Sequence, residues 1–143
     1  MKVQYNDGGR EAAGFKGKTG DCVTRAIAIA TGMPYLDVYA LVNEAGRDER
    51  APTKRRGRRS SARTGVRKPT TRQILAGLGW YWTPTMQIGQ GCKVHLRASE
   101  LPPGRLVVQV SKHLVAVIDG VIHDTFDPSR RGRRCVYGYW RKA

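Results

Sequence analysis

The chain has 143 residues, enough for one domain around one core, and carries 26 Lys+Arg against 11 Asp+Glu, a formal net charge of +15. No apolar run approaches the roughly 20 residues that cross a bilayer, and residues 1–5 lack the apolar stretch of a signal peptide. The reading is a cytoplasmic protein without a membrane partner, with virion association open if it is phage-encoded. In a reducing cytosol its three cysteines, Cys22, Cys92 and Cys135, are expected as free thiols.

In chain order, residues 1–5 alternate and predict a short strand, and the Gly-rich stretch 6–20 predicts a loop. An apolar helix begins at Cys22 behind Asp21, which is expected to cap it through its side chain, and ends at Gly32 in the left-handed conformation. Thr24 and Arg25 are its polar members, so it is expected to be buried nearly all round. Pro34 suits the first turn of a second helix, in which Tyr35, Val38, Tyr39, Val42 and Ala45 recur at helical spacing until Gly46 stops it. A third, short helix is capped by Thr70 or Thr71, carries Ile74, Leu75 and Leu78, and ends at Gly77 and Gly79.

The remainder predicts β structure at 80–83, 93–96, 105–110, 113–118, 121–126 and 135–140, with Asp119-Gly120 as a two-residue hairpin turn. Helices first and a mostly antiparallel sheet afterwards is an α+β layout in a single domain.

The charge is uneven. Residues 47–72 carry eleven Lys/Arg against Asp48 and Glu49, and 130–142 carry six more and no acid. The segment at about 47–69 has few apolar residues and is expected to be a flexible insert. Lys54, Arg55, Arg56, Arg58 and Arg59 are its candidates for contact with nucleic acid or a nucleoprotein assembly. Cys92-x-x-His95 has the spacing of a metal half-site, but a structural zinc needs a second pair, so neither metal nor cofactor is expected. Trp80, Tyr81 and Trp82 fit a half-buried strand better than a base-stacking platform.

The strongest chemical signal is Gly20-Asp21-Cys22 at the start of the apolar helix. Unpaired N–H groups and the helix dipole favour an anion there, which eases ionisation of the thiol. Far downstream, His113 opens one arm of the hairpin. With Asp119-Gly120 as the turn, Val115 lies opposite Asp124, and His113, Val115 and Asp124 share a face. Asp124 is then the diagonal neighbour of His113, placed to orient the imidazole. His113-Leu114-Val115-Ala116-Val117 and Ile122-His123-Asp124-Thr125-Phe126, together with the cysteine segment, resemble the papain-like cysteine peptidase fold that includes bacterial and phage C39-like peptidases. That resemblance implies Cys22, His113 and Asp124 as a catalytic triad acting on a peptide or isopeptide. Where the family places a Gln ahead of the Cys as oxyanion donor, this chain has Lys16 and Lys18, with Gln4 farther back.

Two functions fit. One is a thiol hydrolase or acyltransferase using Cys22–His113–Asp124. The other is an inactive papain-like basic protein that holds nucleic acid through its Arg-rich segments.

Overall fold

The computed structural model describes residues 1–17 and 19–143. Among them the order is β1 (Val3–Tyr5), α1 (Cys22–Thr31), α2 (Tyr35–Arg47), α3 (Lys68–Gly77), β2 (Trp80–Pro84), a 3-10 turn at Ala98–Glu100, β3 (Arg105–Val110), β4 (His113–Ile118), β5 (Val121–Asp124) and β6 (Gly138–Lys142). The strands form one sheet in the order β1-β5-β4-β3-β6-β2. Every pair is antiparallel except β1–β5, so the sheet is mixed and the class is α+β. No helix of the described residues is long and apolar enough to cross a membrane.

Both faces of the sheet are covered. On one, Ile27, Val38, Val42 and Leu75 of the helices pack on Trp80, Val107, Leu114, Ala116 and Trp140. On the other, Leu106, Val108, Val110, Val115, Val117 and Ile122 lie beneath Leu96, Leu101 and Val136. Successive residues of β3 and β4 alternate between the two clusters, as a pleated strand must. β4 therefore reads as an unbroken apolar run from Leu114 to Ile118, and β3 is apolar apart from Arg105 and Gln109. α1 lies between the sheet and α2, and its residues Val23 to Ala30 are all buried. It ends where Gly32, at φ 76°, donates its N–H to the Ala28 carbonyl. Asp119 and Gly120 take φ 48° and 78°, the two positive values of a type I′ turn, and this sets Ile118 opposite Val121.

Several local expectations are corrected. Pro34 precedes α2 instead of lying in its first turn, and Gly46 does not end the helix, which continues to Arg47. α3 starts at Lys68, with Thr70 and Thr71 buried inside it instead of capping it. Residues 93–96 form no strand beyond the single bridge His95↔Cys135, and the last strand starts at Gly138, not at 135. Cys92 and Cys135 are not free thiols but a disulfide, with Cα atoms 5.8 Å apart across a sequence separation of 43. The long connection between β2 and β3 returns beside the segment that leads into β6, which brings the two thiols within bonding range.

The basic insert is also not a free excursion. Two small antiparallel bridges, Thr53↔Gly57 and Ser61↔Gly65, give it internal structure. Arg67 donates to the carbonyls of Arg50, Gly57 and Arg58. Glu49 accepts from the backbone N–H and hydroxyl of Ser60, from the Thr70 hydroxyl, and faces Arg67 Nε at 3.6 Å. Ala62, 1% exposed, is pinned by Asn43 and by the Thr24 hydroxyl of α1. Polar anchors that composition does not weigh hold the segment, together with a small apolar contact through Ala62, a member of the helix-side core, and Val66 packed against it. Gly46 lets it lie close: a methyl group at that position would overlap the Ser60 carbonyl oxygen. Gly46→Ala is expected to destabilise the protein by about 1–3 kcal/mol and to speed tryptic cleavage within 47–67 several-fold. Equal cleavage rates for the two proteins would mean that the insert does not rest on α2.

Candidate active site

Cys22 is the first residue of α1 and the free cysteine of the chain. No side chain among the described residues caps the first turn, so its amides remain open toward whatever lies before the helix. The Asp21 side chain, expected as that cap, turns elsewhere. It accepts from Arg25 Nη1 at 2.5 Å and from the Tyr35 hydroxyl at 2.8 Å, with Arg10 Nε at 4.0 Å. A buried carboxylate gains more from a guanidinium in contact than from a weak amide cap.

The fold brings Cys22, His113 and Asp124 together. His113 Nε2 lies 2.7 Å from Asp124 Oδ2, which leaves Nδ1 as the ring nitrogen free to face the Cys22 thiol, close enough to lower it. Asp124 Oδ1 accepts from Arg25 Nη2 at 2.9 Å and from the Thr125 N–H at 2.7 Å. Arg25 therefore bridges two buried carboxylates, one just before Cys22 and one behind His113. The Phe126 ring stands beside the imidazole, with centroids 5.2 Å apart.

The route to this arrangement differs from the expected one. The paired part of the β4–β5 ladder ends at Ala116↔His123, one step short of Val115 and Asp124. Leu114 and Ala116 are the β4 side chains packed on the helices, while Val115 and Val117 face away from them. Simple alternation thus groups His113 with the face opposite α1. His113 nevertheless reaches Cys22 because it is the first residue of β4, next to the turn in which Lys112 takes φ 55°. At that end of the sheet a ring can lean past the pleat toward the helix tip.

The electrostatics match an ion pair. Burial pushes the Cys22 thiol up, but the His113 hydrogen bond, the Leu114 N–H and the charges of His113 and Arg25 outweigh it and leave it below its ordinary value. Burial pulls the His113 imidazolium down, yet the Asp124 and Cys22 hydrogen bonds win and hold it at about 9. Asp124 is raised by burial and lowered more by His113 and Arg25, so it stays ionised. All three shifts favour a thiolate, an imidazolium and a carboxylate side by side.

The oxyanion candidates fare differently. Gln4 lies in β1 opposite His123, and its amide donates to the Tyr5 carbonyl at 3.4 Å, so it is not aimed at Cys22. Strand pairing with β5 fixes it there. Lys16 is exposed and lines a cleft of about 540 Å³ that also has Thr19, Asp21 and Arg25 on its wall. Lys18 lies outside the described residues. The N–H of Cys22 itself lies at the open, uncapped end of α1. Lys54, Arg55, Arg56, Arg58 and Arg59 are exposed on the insert. Arg59 donates to the carbonyls of Gly46, Arg47 and Glu49. No group of three or more His, Cys, Asp or Glu side chains among the described residues is arranged to hold a metal ion.

Sequence reasoning missed Arg25 and Tyr35 as parts of this site. The signal was present for Arg25: a lone cation in an apolar helix, four residues after Asp21 and three after Cys22. A buried cation requires a partner.

The chain matches no protein-family model, no curated protein and no solved structure.

Proposed function

We propose that the protein is a thiol hydrolase or acyltransferase of the papain-like class, acting on a peptide or isopeptide carbonyl. The reading rests on one observation above all: His113 stands between the Cys22 thiol and the Asp124 carboxylate, with Nε2 2.7 Å from the latter. The Cys22 thiolate attacks the carbonyl carbon, a C–S bond forms, and the carbonyl electron pair moves to oxygen, facing the α1 amides. The pair returns, the C–N bond breaks, and the imidazolium Nδ1–H gives its proton to the leaving amine. Water, deprotonated by the now neutral His113, attacks the thioester and releases the acid and the thiolate. With an amine in place of water the same site is an acyltransferase. Asp124 holds the ring and balances its charge, and Arg25 holds Asp124.

The test combines labelling with turnover. Cys22 should react with iodoacetamide at neutral pH at least about tenfold faster than a free cysteine, as a depressed thiol does. Cys22→Ala should lose both this label and all cleavage of a fluorogenic peptide or isopeptide amide. Label or cleavage that survives at full rate in Cys22→Ala removes the proposal. A wild-type thiol that reacts no faster than free cysteine and turns nothing over leaves the inactive, nucleic-acid-binding alternative.

A further inference from the structure

We infer that the cleft between the basic insert and the start of α3 is a binding site for the phosphate backbone of a nucleic acid. This site is separate from the Cys22 centre and does not depend on the hydrolase reading. The cleft has a volume of about 770 Å³, within the range of ligand sites and far more than one small ion needs. Arg50, Arg55, Arg56, Arg67 and Lys68 line it, against Asp48 and Glu49.

These charges are not equivalent. Glu49 is saturated by Ser60, Thr70 and Arg67, and those hydrogen bonds outweigh its burial and keep it ionised. Arg67 is engaged with three carbonyls, and Arg56 Nη1 with the Ala51 carbonyl. The Arg67–Glu49 pair therefore shapes the cleft instead of serving a ligand. Arg50, Arg55 and Lys68 are exposed and have no side-chain hydrogen-bond or ion-pair partner among the described residues. Three unengaged cations thus surround the cavity, against Asp48 as the unengaged acid among its lining residues.

The chemistry of the walls narrows the ligand. No aromatic side chain lines the cleft, so there is no platform for stacking bases. The free groups suit phosphate oxygens, which position a nucleic acid without reading its sequence. The site should accept duplexes of any sequence and weaken steeply with salt.

The experiment measures anisotropy of a labelled 20-base-pair duplex between 50 and 200 mM NaCl, with two charge-matched triple variants. Arg50→Gln/Arg55→Gln/Lys68→Gln should weaken binding at least about tenfold and lower the slope of log K against log salt by roughly three, one for each phosphate no longer neutralised. Arg130→Gln/Arg131→Gln/Arg133→Gln removes three exposed cations elsewhere and should change neither by more than a small fraction of that. Equal losses in the two triples overturn the site, because the charge would then act diffusely. Absence of duplex binding by the wild type overturns it as well. Competition by poly-glutamate as strong as by duplex of equal charge overturns the choice of phosphate. Cys22 alkylation should be unchanged in the first triple, which separates this result from the fate of the hydrolase reading. If that triple does not fold, Arg55→Glu alone is compared with Arg131→Glu in the same way.

Discussion

Replacing Arg25 with leucine is expected to lower the stability of the protein by about 3–5 kcal/mol, the cost of stranding buried charge. Arg25 bridges Asp21 and Asp124, whose side chains are 0% and 2% exposed, and is itself only 10% exposed at the side chain. Leucine fills much of the space and suits an apolar helix, so packing loss is small. What remains is two carboxylates in a low-dielectric setting, Asp21 with Tyr35 as its chief partner and Asp124 with His113 and the Thr125 N–H. Since a domain this size has only about 5–15 kcal/mol of net stability, the loss is a large fraction of it. Urea denaturation followed by tryptophan fluorescence reads it directly. Adding Asp21→Asn to Arg25→Leu should recover part of the loss, because one stranded charge is removed. A loss below about 1 kcal/mol would mean that water, not Arg25, solvates these carboxylates.

The second large effect is on chemistry and its pH dependence. His113→Ala should reduce turnover by about 10²–10⁴-fold, the usual worth of a positioned acid–base group. It should also slow Cys22 alkylation at neutral pH, because burial then acts on the thiol without the opposing His113 imidazolium. The sign of the pH profile follows from the two shifts. The His113 imidazolium is held at about 9 against an ordinary 6.5, so its contribution to the folded state is complete below about 6.5 and is lost as pH rises through about 9. The Cys22 thiol is shifted down from 9.0, so the thiolate's contribution is present above 9.0 and is lost as pH falls through that lowered value. Between these limits both partners are charged. Turnover should therefore hold steady between the lowered thiol value and about 9 and fall on the alkaline side near pH 9. In Asp124→Asn the leading hydrogen bond that raises His113 loses its charge, and burial still pulls the imidazolium down. The alkaline limb should move to lower pH. A limb that stays near 9 in Asp124→Asn would show that Asp124 does not hold the proton on His113.

The readability of this chain depended on how far apart the interacting residues lie. The α1 span from Cys22 to Thr31, the left-handed Gly32 and the Asp119-Gly120 hairpin were all legible, because each is settled by groups a few residues apart. The convergence of His113 and Asp124 was legible for the same reason, since one tight turn joins their strands. The meeting of that hairpin with Cys22 was suggested by a thiol at a helix start and a distant strand histidine, and by resemblance, since nothing local links positions 22 and 113.

Other features had no local signature. The parallel pairing of β1 with β5, the bridge from Arg25 to Asp124 across 99 residues, and the Cys92–Cys135 disulfide all join distant segments. The insert shows the limit most clearly. Its composition argues for disorder, yet Glu49, Asn43 and Gly46 hold it to α2 and α3 through polar contacts and one close approach. Hydrophobic patterning cannot detect such anchors, because it counts apolar surface and not the pairing of polar groups. Periodicity and turn chemistry act over one or two turns of chain and so decided the elements and the thiol's seat at a helix start. Which charges neutralise which, and how an imidazole leans off its strand to a helix tip, were decided when the chain folded, because a buried charge is stable only beside the partner that packing delivers.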